Sequence, residues 1–276
     1  MPTKEQRRRQ LARQKHLRQQ ARRIQQRRKA RRRNAVVAGA LAVLLAAGAA
    51  AYAATALGGG DDKAEAAPSP SAPSKAPDPC DKPGKGKPAE KTWKKEPALS
   101  VDESASYVMK LRTTCGDISV TMDAARTPHT VNSFRFLADE GYFDHTKCHR
   151  LTDQGIYVLQ CGDPLGTGQG GPGYTIPDEN LKDPRLKGEV YPAGTVAMAN
   201  KYDAQTGKGR DSGGSQFFLV YEDSPLPPDY TPFGTVTGGQ DVLKKIADAG
   251  AAPMDAMQNT APNATVVIEK ATVDKA

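Results

Sequence analysis

None of the four cysteines, Cys80, Cys115, Cys148 and Cys161, forms a C-x-x-C pair. That excludes a zinc ribbon and a thioredoxin-like redox motif. Four cysteines allow three complete disulfide pairings, which become relevant if the domain lies outside the cytoplasm. A bridge between Cys148 and Cys161 is one expectation, because the two face each other if a hairpin joins them. The acidic residues are scattered, with no paired-carboxylate signature. Gly213-Gly214-Ser215-Gln216-Phe217 lacks the second glycine of a nucleophile elbow. The run 166–171 satisfies G-x-G-x-x-G, but Pro172 and Gly173 follow where a phosphate-holding helix must start. His145, Cys148 and His149 are close in sequence, yet 148 and 149 point to opposite faces of a strand, so no shared metal is expected.

Acid is almost missing from residues 1–33, which hold fifteen Lys or Arg and only Glu5. The chain's formal net charge of +8 therefore belongs to this arm, and the remainder is mildly acidic. A protein basic only at one end is not read as a nucleic-acid binder. Charge is then absent altogether from residues 35–57, AVVAGALAVLLAAGAAAYAATAL. Twenty-three uncharged residues suffice for one helical membrane crossing, which needs about 20. The Arg-rich flank keeps residues 1–34 cytoplasmic and exports the rest. Cleavage after a small-x-small site, Ala51-Tyr52-Ala53 or Ala54-Thr55-Ala56, is the alternative. The run exceeds the usual signal-peptide core of about 7–15 residues, which favours an uncleaved anchor. Residues 58–92, rich in Pro, Ala, Gly, Ser and Lys, read as a disordered linker.

From residue 107 the texture becomes globular. Alternating apolar residues predict strands over 107–111 and 118–122, with Val131, Phe134 and Leu137 marking a helix over 130–140. Its cap is expected at Thr127 or Thr130, with Pro128 at the start. Short apolar runs follow at 156–159, 195–198, 217–220 and 233–236. A second helix is expected over 241–247 and a closing strand over 264–268. Two helices and about eight short strands predict a mainly β fold, an eight-stranded closed antiparallel barrel capped by two helices. The domain is expected over 93–276, with its core at 107–270.

Five fragments then recur in order: Cys148-His149-Arg150; Leu159-Gln160-Cys161-Gly162-Asp163; Val196-Ala197-Met198-Ala199-Asn200; Ser215-Gln216-Phe217-Phe218; and Tyr230-Thr231-Pro232-Phe233-Gly234. With Gly166-Thr167-Gly168 between the second and third, they resemble the active-site string of the cyclophilins, a family of peptidyl-prolyl cis-trans isomerases. The resemblance covers about 170 residues and does not extend to residues 1–90. It implies that Arg150 is the catalytic guanidinium and that Gln160 orients it. It implies a proline pocket of Phe218, Leu226, Val158 and Tyr157, with Asn200, Ala199 and Gln216 on the peptide backbone and His149 and Tyr230 flanking the substrate.

The chemistry suits an arginine. An X-Pro bond resists rotation by about 18–20 kcal/mol because the nitrogen lone pair is delocalised into the carbonyl. Twisting localises that pair on nitrogen, so a fixed cationic donor there is strengthened mainly in the transition state. No metal, cofactor or covalent step is needed. The sequence departs from the resemblance at three points. Arg150 and Gln160 are ten residues apart where eight are common, which leaves Ile156 and Tyr157 as rivals for the pocket wall, Tyr157 being preferred. Pro225 stands where many relatives have Trp, implying weak cyclosporin binding, and Tyr230 replaces a common His. The expected protein is a monomeric, single-pass isomerase acting on exported proline-containing polypeptides outside a bacterial membrane. Anionic lipid headgroups, rather than nucleic acid, are the expected partners of the basic arm. A non-catalytic proline-peptide binding module is the alternative.

Overall fold

The computed structural model describes residues 77–254 and 260–276. The basic arm, the expected membrane helix of residues 35–57 and linker residues 58–76 lie outside the described residues. Among the described residues, no helix is long and apolar enough to cross a membrane.

Alternation builds the first hairpin. β1 (Tyr107–Thr113) buries Tyr107, Met109, Leu111 and Thr113, and β2 (Gly116–Met122) buries Ile118, Val120 and Met122. Their period of two turns one face of the pair onto the core. After α1 (Pro128–Asp139) come β3 (Thr146–Lys147), β4 (Arg150–Gln154), β5 (Ile156–Cys161), β6 (Val190–Tyr191), β7 (Thr195–Met198), β8 (Phe217–Val220), β9 (Ser224–Pro225) and β10 (Pro232–Gly238). α2 (Gln240–Asp248) and β11 (Val267–Lys275) complete the chain. Nine strands form one antiparallel sheet in the order β3-β11-β1-β2-β10-β7-β8-β5-β4, while β6 and β9 pair separately.

This differs from the expected closed eight-stranded barrel. The sheet curls but keeps two edges, β3 and β4, with no ladder between them among the described residues. Only Cys148 and His149 separate those edges in the chain, so a single stretch serves both ends of the sheet. The closing strand also runs to Lys275 rather than ending at 268, and pairs with all of β1.

Thr127, one of the two expected caps, holds the N-cap position before Pro128 but makes no side-chain cap hydrogen bond. Its hydroxyl donates to Asp123 O at 2.6 Å instead. The capping is supplied from a distance by Glu179, whose carboxylate accepts from His129 N at 3.1 Å and Thr130 N at 2.9 Å. A carboxylate there also opposes the helix dipole favourably. The helix buries Val131, Phe134 and Leu137 on the sheet. Phe134 meets Phe233 at 4.7 Å and Phe143 at 5.3 Å between ring centroids, and packs edge-on to Phe217. Each fully buried aromatic of this kind contributes about 1.5–3 kcal/mol by leaving water.

Residues 77–92 do not behave as the disordered linker expected of them. Cys80 is bonded to Cys115. Asp81 N donates to Thr114 O at 2.8 Å, and Gly84 N donates to Glu269 Oε1 at 2.9 Å. The disulfide and these bonds offset the ordering entropy that composition alone cannot. Residues 77–98 thus form a strap along the domain, in which the Trp93 ring lies 5.1 Å from that of Phe136 and 5.7 Å from that of Tyr142.

Candidate active site

The β4–β5 hairpin sets Arg150 directly opposite Gln160. Their spacing of ten residues preserves this facing: two extra residues lengthen the two strands together, and Gly155, with φ +82°, stands at the tip. Cys148 and Cys161 are bonded beside the pair, as expected. Arg150 Nη1 donates to Gln160 Oε1 at 3.1 Å. Gln160 Nε2 donates to Gln216 Oε1 at 2.9 Å, and Gln216 Nε2 donates to Gly170 O at 2.8 Å. Each amide is oriented by the next, so the guanidinium is anchored through two side chains to the loop at 166–170.

Asp163 organises that loop. Burial opposes its ionisation, but backbone N–H groups of Leu165, Gly170, Thr167 and Gly168 outweigh it and hold its pKa below the usual carboxylate range. Glycine is required at 170, where a Cβ would lie 1.9 Å from Asp163 Oδ1. The G-x-G-x-x-G run is thus a carboxylate-centred loop and not a phosphate cradle.

Arg150 overlooks an apolar pocket of about 130 Å³, lined also by Ile156, Val158, Gln160, Ala199, Asn200, Phe218, Leu226 and Tyr230. Tyr230 stands edge-on to Phe218 at 5.5 Å. Behind them Tyr191, wholly buried, donates its hydroxyl to Tyr230 O at 2.7 Å and accepts from Tyr230 N at 3.1 Å. Burial lowers the pKa of Arg150 and Tyr230 opposes this. A guanidinium still remains charged throughout the physiological range.

Eight of the eleven residues singled out from the sequence meet at this pocket: Arg150, Gln160, Phe218, Val158, Leu226, Ala199, Asn200 and Tyr230. Gln216 lines the adjoining groove instead. Tyr157 does not form the wall; Ile156 does. Ile156, Val158 and Gln160 are alternate residues on one face, whereas Tyr157 faces away and packs its ring edge-on to Tyr221 at 5.9 Å. His149 does not flank the pocket either. It is buried at 7% exposure, with neither ring nitrogen hydrogen-bonded, and burial lowers its pKa. Asn200 spends its side chain internally, donating to Asp229 O at 2.8 Å and accepting from Tyr202 N at 3.1 Å. Ala199 N already donates to Gln216 O at 3.0 Å.

Motif reading included Gly168 but missed Tyr191 and the part that residues 169–175 play in the groove. Tyr191 carried no signal, since its role depends on a hydroxyl reaching 39 residues along the chain. Ile156 could have been found by alternation from Gln160 and Val158.

Residues 108–273 match the family model described as cyclophilin type peptidyl-prolyl cis-trans isomerase/CLD. The chain belongs to the cyclophilin family. The match covers more than half the chain and includes every residue of the pocket. A protein of Mycobacterium leprae, "Probable peptidyl-prolyl cis-trans isomerase B", is 46% identical over 159 residues, covering 54% of this chain and 52% of the relative. "Peptidyl-prolyl cis-trans isomerase B" of Bacillus subtilis is 41% identical over 122 residues, covering 44% and 76% respectively. The cyclophilin thus spans about half the length of the mycobacterial relatives it matches. A crystal structure of a Cryptosporidium parvum cyclophilin type peptidyl-prolyl cis-trans isomerase aligns with a TM-score of 0.50 at 27% identity, covering 61% of this chain and 98% of that one.

Proposed function

We propose that this cyclophilin accelerates cis-trans isomerisation of X-Pro bonds in polypeptides without a covalent step or cofactor. The observation that carries the reading is a charged guanidinium, fixed by Gln160, at the mouth of a small pocket of about 130 Å³ walled by Ile156, Val158, Phe218 and Leu226. Ile156, Val158, Phe218 and Leu226 grip the ring, and the preceding carbonyl turns about it. Arg150 donates toward the prolyl nitrogen as its lone pair localises, an interaction weak in the planar ground state. Because the amide relay fixes the donor beforehand, little reorganisation is needed at the moment of twisting. Tyr230 and the flanking backbone hold the peptide. In a protease-coupled or NMR exchange assay of a cis-prolyl peptide, Arg150→Ala is expected to lower kcat/KM by about 10²–10³, the cost of one lost transition-state donor. Full activity in this variant, with its disulfides and circular dichroism intact, overturns the mechanism. Peptide binding without turnover in the native chain favours the binding-module reading instead.

We propose a location outside the membrane as well, on the support of two independent features. An uncharged stretch at 35–57 behind an Arg-rich arm supports a single-pass anchor with its N-terminus cytoplasmic. The bridges Cys80–Cys115 and Cys148–Cys161 suit an oxidising compartment. In this arrangement the tethered domain serves exported chains, with the arm on anionic lipid. Deleting residues 4–33 is expected to scramble orientation, read by protease protection of the domain in membrane vesicles; unchanged orientation counts against the anchor reading.

A further inference from the structure

The proline pocket opens into a larger groove of about 840 Å³, which shares Gln160, Ala199 and Asn200 with it. Loop 168–175 forms part of the groove, and residues 199–201 and 212–216 form another part. Lys94, Lys95 and Glu96 complete the lining. Those three belong to the strap, which precedes the segment 108–273 that matches the family model.

The strap is built in at this point. Trp93 N donates to Pro172 O at 2.8 Å, and a Cβ on Gly173 would come within 2.7 Å of Trp93 O. Lys91 is bonded to Glu140, and Asn132 Nδ2 donates to Pro97 O at 3.2 Å and Ala98 O at 3.1 Å. The side chains of residues 94 and 95 are therefore presented to the groove from a backbone held on both sides.

Its charges do not cancel. Glu96 is turned onto α1, where its carboxylate lies 3.1 Å from His129 Nδ1. Asp163 is buried behind the loop and saturated by backbone N–H groups. Nearby Asp178 and Asp229 are both paired with Arg210. Lys94, Lys95 and Lys201 are exposed, and among the described residues none of their ammonium groups has an acidic partner. This concentration of cation stands out because residues 77–276 carry 27 acidic against 22 basic residues. Glu96 is the one acid in the lining, so against Lys94, Lys95 and Lys201 the groove beside the prolyl site keeps a net positive charge.

We infer that the groove is a specificity subsite for acidic side chains, so that the preferred substrates carry Asp or Glu within a few residues of the isomerised proline. The inference rests on the proposed isomerase reading for its biological use, but its charge preference is measurable by binding alone. Clustered unpaired lysines on a concave wall raise the local concentration of anionic segments, and the attraction weakens as salt shortens the screening length.

The test uses the intact chain and one proline peptide series, with Glu, Ala or Lys at each of three positions on either side of the proline. Both kcat/KM and Kd by fluorescence anisotropy are measured. At low salt the best Glu peptide is expected to exceed its Lys counterpart by about three- to ten-fold in both readings, falling towards parity in about 1 M salt. The triple variant Lys94→Gln, Lys95→Gln, Lys201→Gln is expected to bring the ratio close to one, and the corresponding Glu variants to invert it. A native chain that does not discriminate, or a ratio unchanged in these variants, overturns the subsite. Charge-selective binding without turnover leaves the subsite standing and overturns the isomerase reading.

Discussion

Arg150 depends on its neighbours for aim more than for charge. Gln160, Gln216 and Gly170 O pass one hydrogen bond to the next, so Gln160→Ala is expected to lower kcat by about ten-fold while changing KM little, as for a group that positions a transition-state donor. A larger effect on KM than on kcat would instead assign Gln160 to substrate binding. Ile156 and Tyr157 separate cleanly at this scale. Ile156→Ala should raise KM for a proline peptide several-fold; Tyr157→Ala should leave KM near native and act on stability through its contact with Tyr221. Steady-state kinetics beside urea titration distinguishes them.

His149 gives a pH dependence with a definite sign. Its folded pKa is below the ordinary value of about 6.5 because burial disfavours the imidazolium; Asp163 opposes this and Arg150 adds to it. The unfolded chain therefore binds the extra proton first as pH falls. Stability from this group is fully present above about pH 6.5 and declines below it, towards the folded pKa. Asp163, with its folded pKa depressed, contributes stability above about pH 4 that is lost at lower pH. Urea midpoints measured from pH 8 to pH 5 should fall in the native chain and fall less in His149→Phe. Equal slopes would exclude His149 as the source.

At the scale of elements, the β4–β5 hairpin is the decisive unit. It carries Arg150, Ile156, Val158 and Gln160 on a ladder whose base is pinned by Cys148–Cys161, a bridge spanning 13 residues. Closing a loop of that length stabilises a fold by about 2–4 kcal/mol. The double variant Cys148→Ser, Cys161→Ser is expected to lose that amount in equilibrium unfolding, against the native chain under non-reducing conditions. A loss below about 1 kcal/mol would mean that the ladder alone holds the hairpin. The helix α1 shows the complementary case. Its length and buried face were legible from Val131, Phe134 and Leu137, but its cap was not. Glu179 reaches it from 49 residues away, and no local pattern carries that information.

For the whole molecule, the strap matters most. Trp93 is the only tryptophan in the chain, so intrinsic fluorescence reports its docking directly. Trp93→Ala is expected to cost about 2 kcal/mol, below the usual 3–5 for a fully buried aromatic because Trp93 is only partly covered. Cleavage before residue 93 should red-shift the emission if the Cys80 end is needed to hold the ring, and leave it unchanged if contacts to Phe136 and Tyr142 suffice.

Local chemistry was written plainly in the sequence. Period-two alternation marked β1 and β2, and a short apolar run marked β5; the ordered fragments around Arg150, Gln160, Asn200, Phe218 and Tyr230 marked a cyclophilin site; a gap in charge marked residues 35–57. The tertiary structure alone decided what depends on distant partners. It chose Ile156 over Tyr157 by fixing which strand face meets Phe218, withdrew His149 into the interior, and kept two sheet edges where a closed barrel was expected. It also converted residues 77–92 from a composition typical of disorder into a strap, because a disulfide to Cys115 and hydrogen bonds to β11 outweigh the entropy that local composition measures. Residue type determines which chemistry is available; long-range packing determines which side chains face it.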